Sequence, residues 1–153
     1  MRFKEINIED KFNKLNMDLR GNITVIEGKS STGKSLIVSM IKREIDAIKA
    51  TNNSGDMFNN IEVFDYNRRD IEEIKHIGNK LIIIDNADEL ITSDRSILGY
   101  ISYDENNQYI IIGRRLYGLK VTPNYIATVK TTSTIDGKNL IELQYEYSEG
   151  SWW

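Results

Sequence analysis

Eight residues constrain this chain more than any other stretch. Gly28-Lys29-Ser30-Ser31-Thr32-Gly33-Lys34-Ser35 follows the β-branched run Ile23-Thr24-Val25-Ile26 and precedes a helical pattern in which Ile37, Met40, Ile41, Ile45 and Ile48 share one face. A strand, a Gly-rich turn and a helix in direct succession make a cradle for an anion. Glycine lets the backbone adopt positive φ and approach phosphate oxygens closely. Successive N–H groups then form a nest, and the helix start adds the positive end of its dipole. In the spacing G-x-x-x-x-G-K-[ST], Lys34 sets a compact positive charge on the β- and γ-phosphates. The Ser35 hydroxyl suits Mg²⁺, a hard cation that prefers oxygen. A chance glycine turn that only caps a helix is disfavoured, because the strand before and the helix after are both present.

A second stretch sharpens this. Leu81-Ile82-Ile83-Ile84-Asp85 is an apolar strand that ends in a carboxylate. In open α/β sheets, ligands sit at the carboxyl ends of parallel strands, which puts Asp85 beside the cradle, able to hold a Mg²⁺-bound water. Alone, such an Asp reads as a turn or capping residue. With the cradle present, the metal reading takes over.

The rest of the chain alternates strands and helices. Residues 3–8 read as a strand and 9–22 contain a second. The loop 51–60 carries four Asn, with Ser, Gly and Asp. Ile61 to Phe64 is a strand. Asp65 or Asn67 caps a helix carrying Ile71, Ile74 and Ile77 and terminated by Gly78. A short helix runs through Ile97, Leu98 and Ile101, with Thr92, Ser93 or Asp94 as its cap. Tyr109 to Gly113 is a buried strand. Beyond Pro123, Tyr125 to Lys130 and Asn139 to Tyr147 form a hairpin with Asp136-Gly137 in its turn. The expected architecture is a three-layer α/β domain spanning 1–153. Its central sheet is mainly parallel, with N-terminal antiparallel strands and a C-terminal hairpin at about 124–148.

Composition removes whole classes of chemistry. There is no cysteine, so disulfides, thiolate metal sites and thiol catalysis are excluded, and His76 is the single histidine. The net charge of −3, from 20 basic and 23 acidic residues, is not the basic footprint of a nucleic-acid binder. No apolar run approaches the roughly 20 residues of a membrane span. Without an apolar leader at Met1-Arg2-Phe3-Lys4-Glu5, the expected location is the cytoplasm.

The two stretches 28–35 and 81–85 resemble the Walker A and Walker B motifs of the P-loop NTPases. Residues 6–8 and 21–28 are similar to the N-terminal strands of ABC-type and chromosome-maintenance ATPases. Ile84-Asp85-Asn86-Ala87-Asp88 looks like the Walker B region of AAA-type ATPases, and Tyr109 to Gly113 with Arg114 lies where such proteins carry a sensor strand. The resemblance covers about residues 3–116. It implies a P-loop NTPase fold with a strand between the Walker A and Walker B strands. It also implies ATP and Mg²⁺ as ligands, with Ser35 and Asp85 at the metal and Lys34 and Arg114 at the phosphates.

The departures are informative. There is no Leu-Ser-Gly-Gly signature, no helical lid after the sensor strand, and no Asn-Lys-x-Asp base reader, which favours ATP over GTP by elimination. Asn86 stands where hydrolytic relatives carry a water-orienting carboxylate, and an amide cannot accept the water's proton. Asp88 or Glu89 is the nearest substitute, although both also suit a helix N-terminus. The function expected is slow hydrolysis of Mg²⁺-ATP, with any missing arginine drawn from Arg114, a second copy or a protein partner. The alternatives are a nucleotide-dependent regulator that does not hydrolyse and a small-molecule kinase. Arg68-Arg69, Arg115 and the five tyrosines Tyr100, Tyr103, Tyr109, Tyr117 and Tyr125 read as surface charges and packing residues. Trp152-Trp153 read as a docked end or a partner anchor.

Overall fold

Strands buried at nearly every position need cover on both faces, and three segments of this chain, mostly β-branched and apolar, have that pattern. In the computed structural model, which describes residues 3–29, 33–51, 55–67, 70–93, 95–114, 121 and 125–146, they are three adjacent strands, the fifth to seventh of an eight-stranded sheet. The strands are β1 (Glu5–Glu9), β2 (Asn13–Asp18), β3 (Ile23–Ile26), β4 (Ile61–Asp65), β5 (Leu81–Asp85), β6 (Gln108–Ile112), β7 (Ile126–Ser133) and β8 (Asn139–Tyr145). Their order across the sheet is β1-β2-β8-β7-β3-β6-β5-β4. Among the described residues five of the seven pairings are parallel; β1 with β2 and β7 with β8 are antiparallel. Ser30, Ser31, Thr32, Arg68, Arg69, Asp94, Arg115, Tyr117, Pro123, Trp152 and Trp153 lie outside the described residues.

Alternation along the central strands divides the core in two. Ile26, Leu81, Ile83, Ile110 and Ile112 join Ile37, Met40 and Ile41 of helix α1 (Lys34–Ala50) on one face. Val25, Ile82, Ile84, Tyr109 and Ile111 join Ile71 and Ile74 and the helices α2 (Asp88–Ser93) and α3 (Arg95–Tyr103) on the other. Helices thus cover both faces of a mainly parallel sheet. β6 lies between β3 and β5, in register as Ile26 with Ile112 and Ile84 with Ile111. The carboxyl ends of β3, β6, β5 and β4 therefore share one edge.

Several elements differ from the sequence expectation. The segment Ile71–His76 is a 3₁₀ helix, capped by Asp70, whose side chain accepts from Glu72 N at 3.0 Å. Neither Asp65 nor Asn67 caps it. Ile71, Ile74 and Ile77 repeat at intervals of three, the 3₁₀ period, with no i+4 partner to favour the wider α turn. The left-handed residue after it is Asn79, at φ 59°, rather than Gly78. The single short helix expected near Ile97 is preceded by α2, whose first turn holds Asp88 and Glu89. The loop before β4 contains a 3₁₀ turn, Met57–Asn60, capped by Asp56.

The hairpin is longer than expected on its first strand. β7 pairs with β3 only through Ile126 and Ala127, and its remaining residues run on past the end of β3 beside the loop that follows. In its turn Gly137 takes φ 86°, which an L side chain rarely adopts.

Candidate functional site

The loop after β3 is laced to β6. Gly113 N donates to the Ile26 carbonyl at 3.1 Å, and Gly28 N donates to the Arg114 carbonyl at 3.3 Å. The turn after β5 is laced to the other side of the same strand end, with Ala87 N donating to the Ile112 carbonyl at 3.0 Å. Arg114 N donates to both oxygens of Asp88, at 2.9 and 3.2 Å. The backbone of Arg114 thus joins the start of the 28–35 loop to the start of α2, and its side chain is exposed.

Helix α1 opens on Gly33, at φ 99° and ψ 2°. A glycine has no side chain to cap the first turn, and that turn holds no acidic residue. A Cβ at Gly33 would lie 3.2 Å from Val129 Cγ1 and 3.7 Å from Thr131 Oγ1, so the overhanging part of β7 forms one wall of the loop. Glycine is required here twice over, by its backbone angle and by its neighbour.

Lys34 is buried, and its Nζ curls back to donate to the carbonyls of Gly28 and, at 2.7 Å, Lys29. Burial pushes the ammonium below its usual range; Asp88 and Asp85 pull it up, and Arg114 pushes it down. Asp85, Asp88 and Arg114, whose charges Lys34 feels, are the other three residues singled out for chemistry in the sequence. Ser35 is exposed one residue into the helix.

No family model matches this chain, and no curated protein matches it. The site is therefore read from its own geometry.

Burial also pushes the Asp85 carboxyl up, and the Asp65 charge adds to the effect against the Asn86 N–H and the lysines Lys42 and Lys34. Asp65, offered by the sequence only as a helix cap, takes a different place in the structure. It ends β4 as Asp85 ends β5, and the two are register partners. Tyr66 N donates to the Asp85 carbonyl at 3.1 Å, so the ladder holds both strand ends together. Asn86 takes φ 54°, its N–H meets Asp85 Oδ1 at 2.9 Å, and its Nδ2 meets Asp65 Oδ1 at 3.1 Å. The signal available in the sequence was the repeat of one pattern, an apolar run closed by Asp, in Val63-Phe64-Asp65 and Ile83-Ile84-Asp85.

Among the described residues no group of three or more His, Asp or Glu forms a metal cage. Among the donors at this edge are an exposed hydroxyl at Ser35 and the half-buried carboxylate of Asp85. That set suits Mg²⁺, which keeps several waters and takes one or two protein ligands beside substrate phosphates.

Proposed function

We propose that this chain is a P-loop NTPase of the Walker type that binds Mg²⁺-ATP at the carboxyl edge of β3, β6 and β5 and hydrolyses it slowly. One observation carries the reading. A buried ammonium folded onto the Gly28 and Lys29 carbonyls and a helix start with no side-chain cap share one sheet edge with Asp85, which ends β5. The strand order supports it as well, since β6 lies between the β3 and β5 strands as the family resemblance implies.

In this reading the 28–35 loop binds the phosphates through its N–H groups, and the N-terminal end of α1 adds its dipole. Lys34 exchanges its carbonyl partners for phosphate oxygens. Ser35 and Asp85 would hold Mg²⁺, which would supply positive charge against the phosphates. Arg114 would meet charge that develops on the transferring phosphoryl group.

The reading is tested by calorimetry with Mg²⁺-ATP and Mg²⁺-GTP and by phosphate release. ATP is expected to bind more tightly than GTP, with turnover orders of magnitude below the roughly 10 s⁻¹ median of enzymes. Turnover of tens per second by the isolated chain would contradict the slow-hydrolysis reading. Binding without turnover would favour the non-hydrolysing regulator.

Asp85→Asn separates function from stability. A carboxyl raised in the folded state costs stability as pH rises from the ordinary carboxylate range through that raised value, and the cost is complete above it. The neutral amide removes it. The ligand-free variant is expected to gain roughly 0.5–1 kcal/mol at pH 7 in urea unfolding, a small gain because solvent screens a half-buried group. The gain should vanish below the ordinary carboxylate range, near pH 3, where both states are protonated. The same variant should lose the Mg²⁺-dependent part of its ATP affinity.

A further inference from the structure

We propose that Asp65, oriented by the amide of Asn86, is the carboxylate that orients the attacking water and accepts its proton. The proposal rests on the Mg²⁺-ATP reading given above. Its starting point is the hydrogen bond from Asn86 Nδ2 to Asp65 Oδ1, 3.1 Å long, across the ends of two adjacent strands.

Three carboxylates compete for this role. Asp88 commits both its oxygens to the Arg114 N–H and so serves to lace two strand ends together. Glu89 is exposed in the first turn of α2, where an acidic group is favoured by the helix dipole. Asp65 is half-buried and in register with Asp85, so its Cα lies one inter-strand spacing, about 4.8 Å, from the residue assigned to the metal. Asn67 N also donates to Oδ1, at 3.0 Å, so two donors fix the orientation of the carboxylate.

The identity of residue 86 then has a physical reason. Its φ of 54° is left-handed, a region that asparagine tolerates better than most residues other than glycine. A glutamate in that bend would be strained. Asparagine accepts the bend, and its side chain donates to the carboxylate of the neighbouring strand. Position 86 thus acts through Asp65 as a positioning residue.

The step balances without a further reactant. The water oxygen forms a bond to the γ-phosphorus while the bond from that phosphorus to the β,γ-bridging oxygen breaks. The electron pair leaves on ADP, and the water's proton passes to the Asp65 carboxylate and on to solvent. Asp65 is a short side chain one strand beyond β5, which fits a slow reaction.

Single-turnover hydrolysis of γ-labelled ATP and calorimetric affinity for Mg²⁺-ATP test this on the full chain. Asp65→Asn is expected to lower the rate about a hundredfold, the scale of a lost general base, with affinity within about twofold. Asp65→Glu should retain a larger share of the rate than Asp65→Asn, a rescue that a structural role would not produce. Asn86→Gly keeps the left-handed bend and removes the donor, so it should lower the rate severalfold at unchanged affinity. Thermal denaturation checks that each variant folds. Wild-type rates in Asp65→Asn, or a wild type that binds ATP with no turnover, would overturn the role of Asp65 and leave the binding site standing. A wild type that binds no ATP would overturn the site reading and this proposal together.

Discussion

Lys34→Ala is expected to weaken Mg²⁺-ATP binding by a factor of roughly ten or more while leaving the fold nearly as stable as before. Loss of a charge-assisted hydrogen bond to a phosphate costs about 1.5–3 kcal/mol of binding. The fold has less to lose. The Lys34 ammonium is desolvated, as its lowered pKa records, and its bonds to the Gly28 and Lys29 carbonyls offset that cost only in part. Truncation removes the penalty together with the bonds. Lys34→Arg should not restore affinity, because a planar guanidinium cannot replace a compact ammonium inside a closed loop. Calorimetry gives the affinity and urea unfolding the stability. Wild-type affinity in Lys34→Ala would remove the phosphate assignment of the loop.

Gly33→Ala should damage both quantities. A side chain at φ 99° is strained by about 1–3 kcal/mol, and its Cβ would press on Val129 Cγ1 at 3.2 Å. For a domain of this size each kcal/mol lowers Tm by roughly 2–4 °C, so a fall of several degrees is expected. ATP affinity should drop as well, since the loop and the first turn of α1 must shift. Adding Val129→Ala relieves the contact without changing the backbone angle. The double variant should therefore recover part of the stability and little of the binding. Full recovery would show that the contact with β7, rather than the angle, makes glycine necessary.

What could be read in the sequence was what local pattern dictates. The loop 28–35 has fixed spacing, α1 has its apolar face, and β3, β5 and β6 are apolar at successive positions. Each is decided within a dozen residues. The helix at Ile71–His76 is where the pattern puts one, but its 3₁₀ form is not legible, because apolar residues three apart fit an α and a 3₁₀ helix alike. The site was harder to read wherever strands had to be placed side by side. The Asp88 contact with Arg114 N spans 26 residues and depends on β6 lying next to β5. The bond from Asn86 to Asp65 spans 21 residues and depends on the register of β4. Asn86 alone suggests a lost carboxylate; with β4 in place, the neighbouring strand supplies one.

The pairing of β2 with β8 bears on how the molecule is assembled during synthesis. Asn13 and Asn139 are register partners, 126 residues apart, and β7 can reach its place beside β3 only after β3, β4, β5 and β6 have been made. The cost of closing so long a loop is met before the contacts that repay it, which slows folding. The half of the sheet made by β3, β6, β5 and β4 has all its strands earlier in the chain and can form first. The wall at Val129 comes later, so Gly33 and the start of α1 meet their last neighbour after the rest of the phosphate edge has formed. Refolding followed by nucleotide fluorescence should then show binding competence lagging behind burial of the central strands.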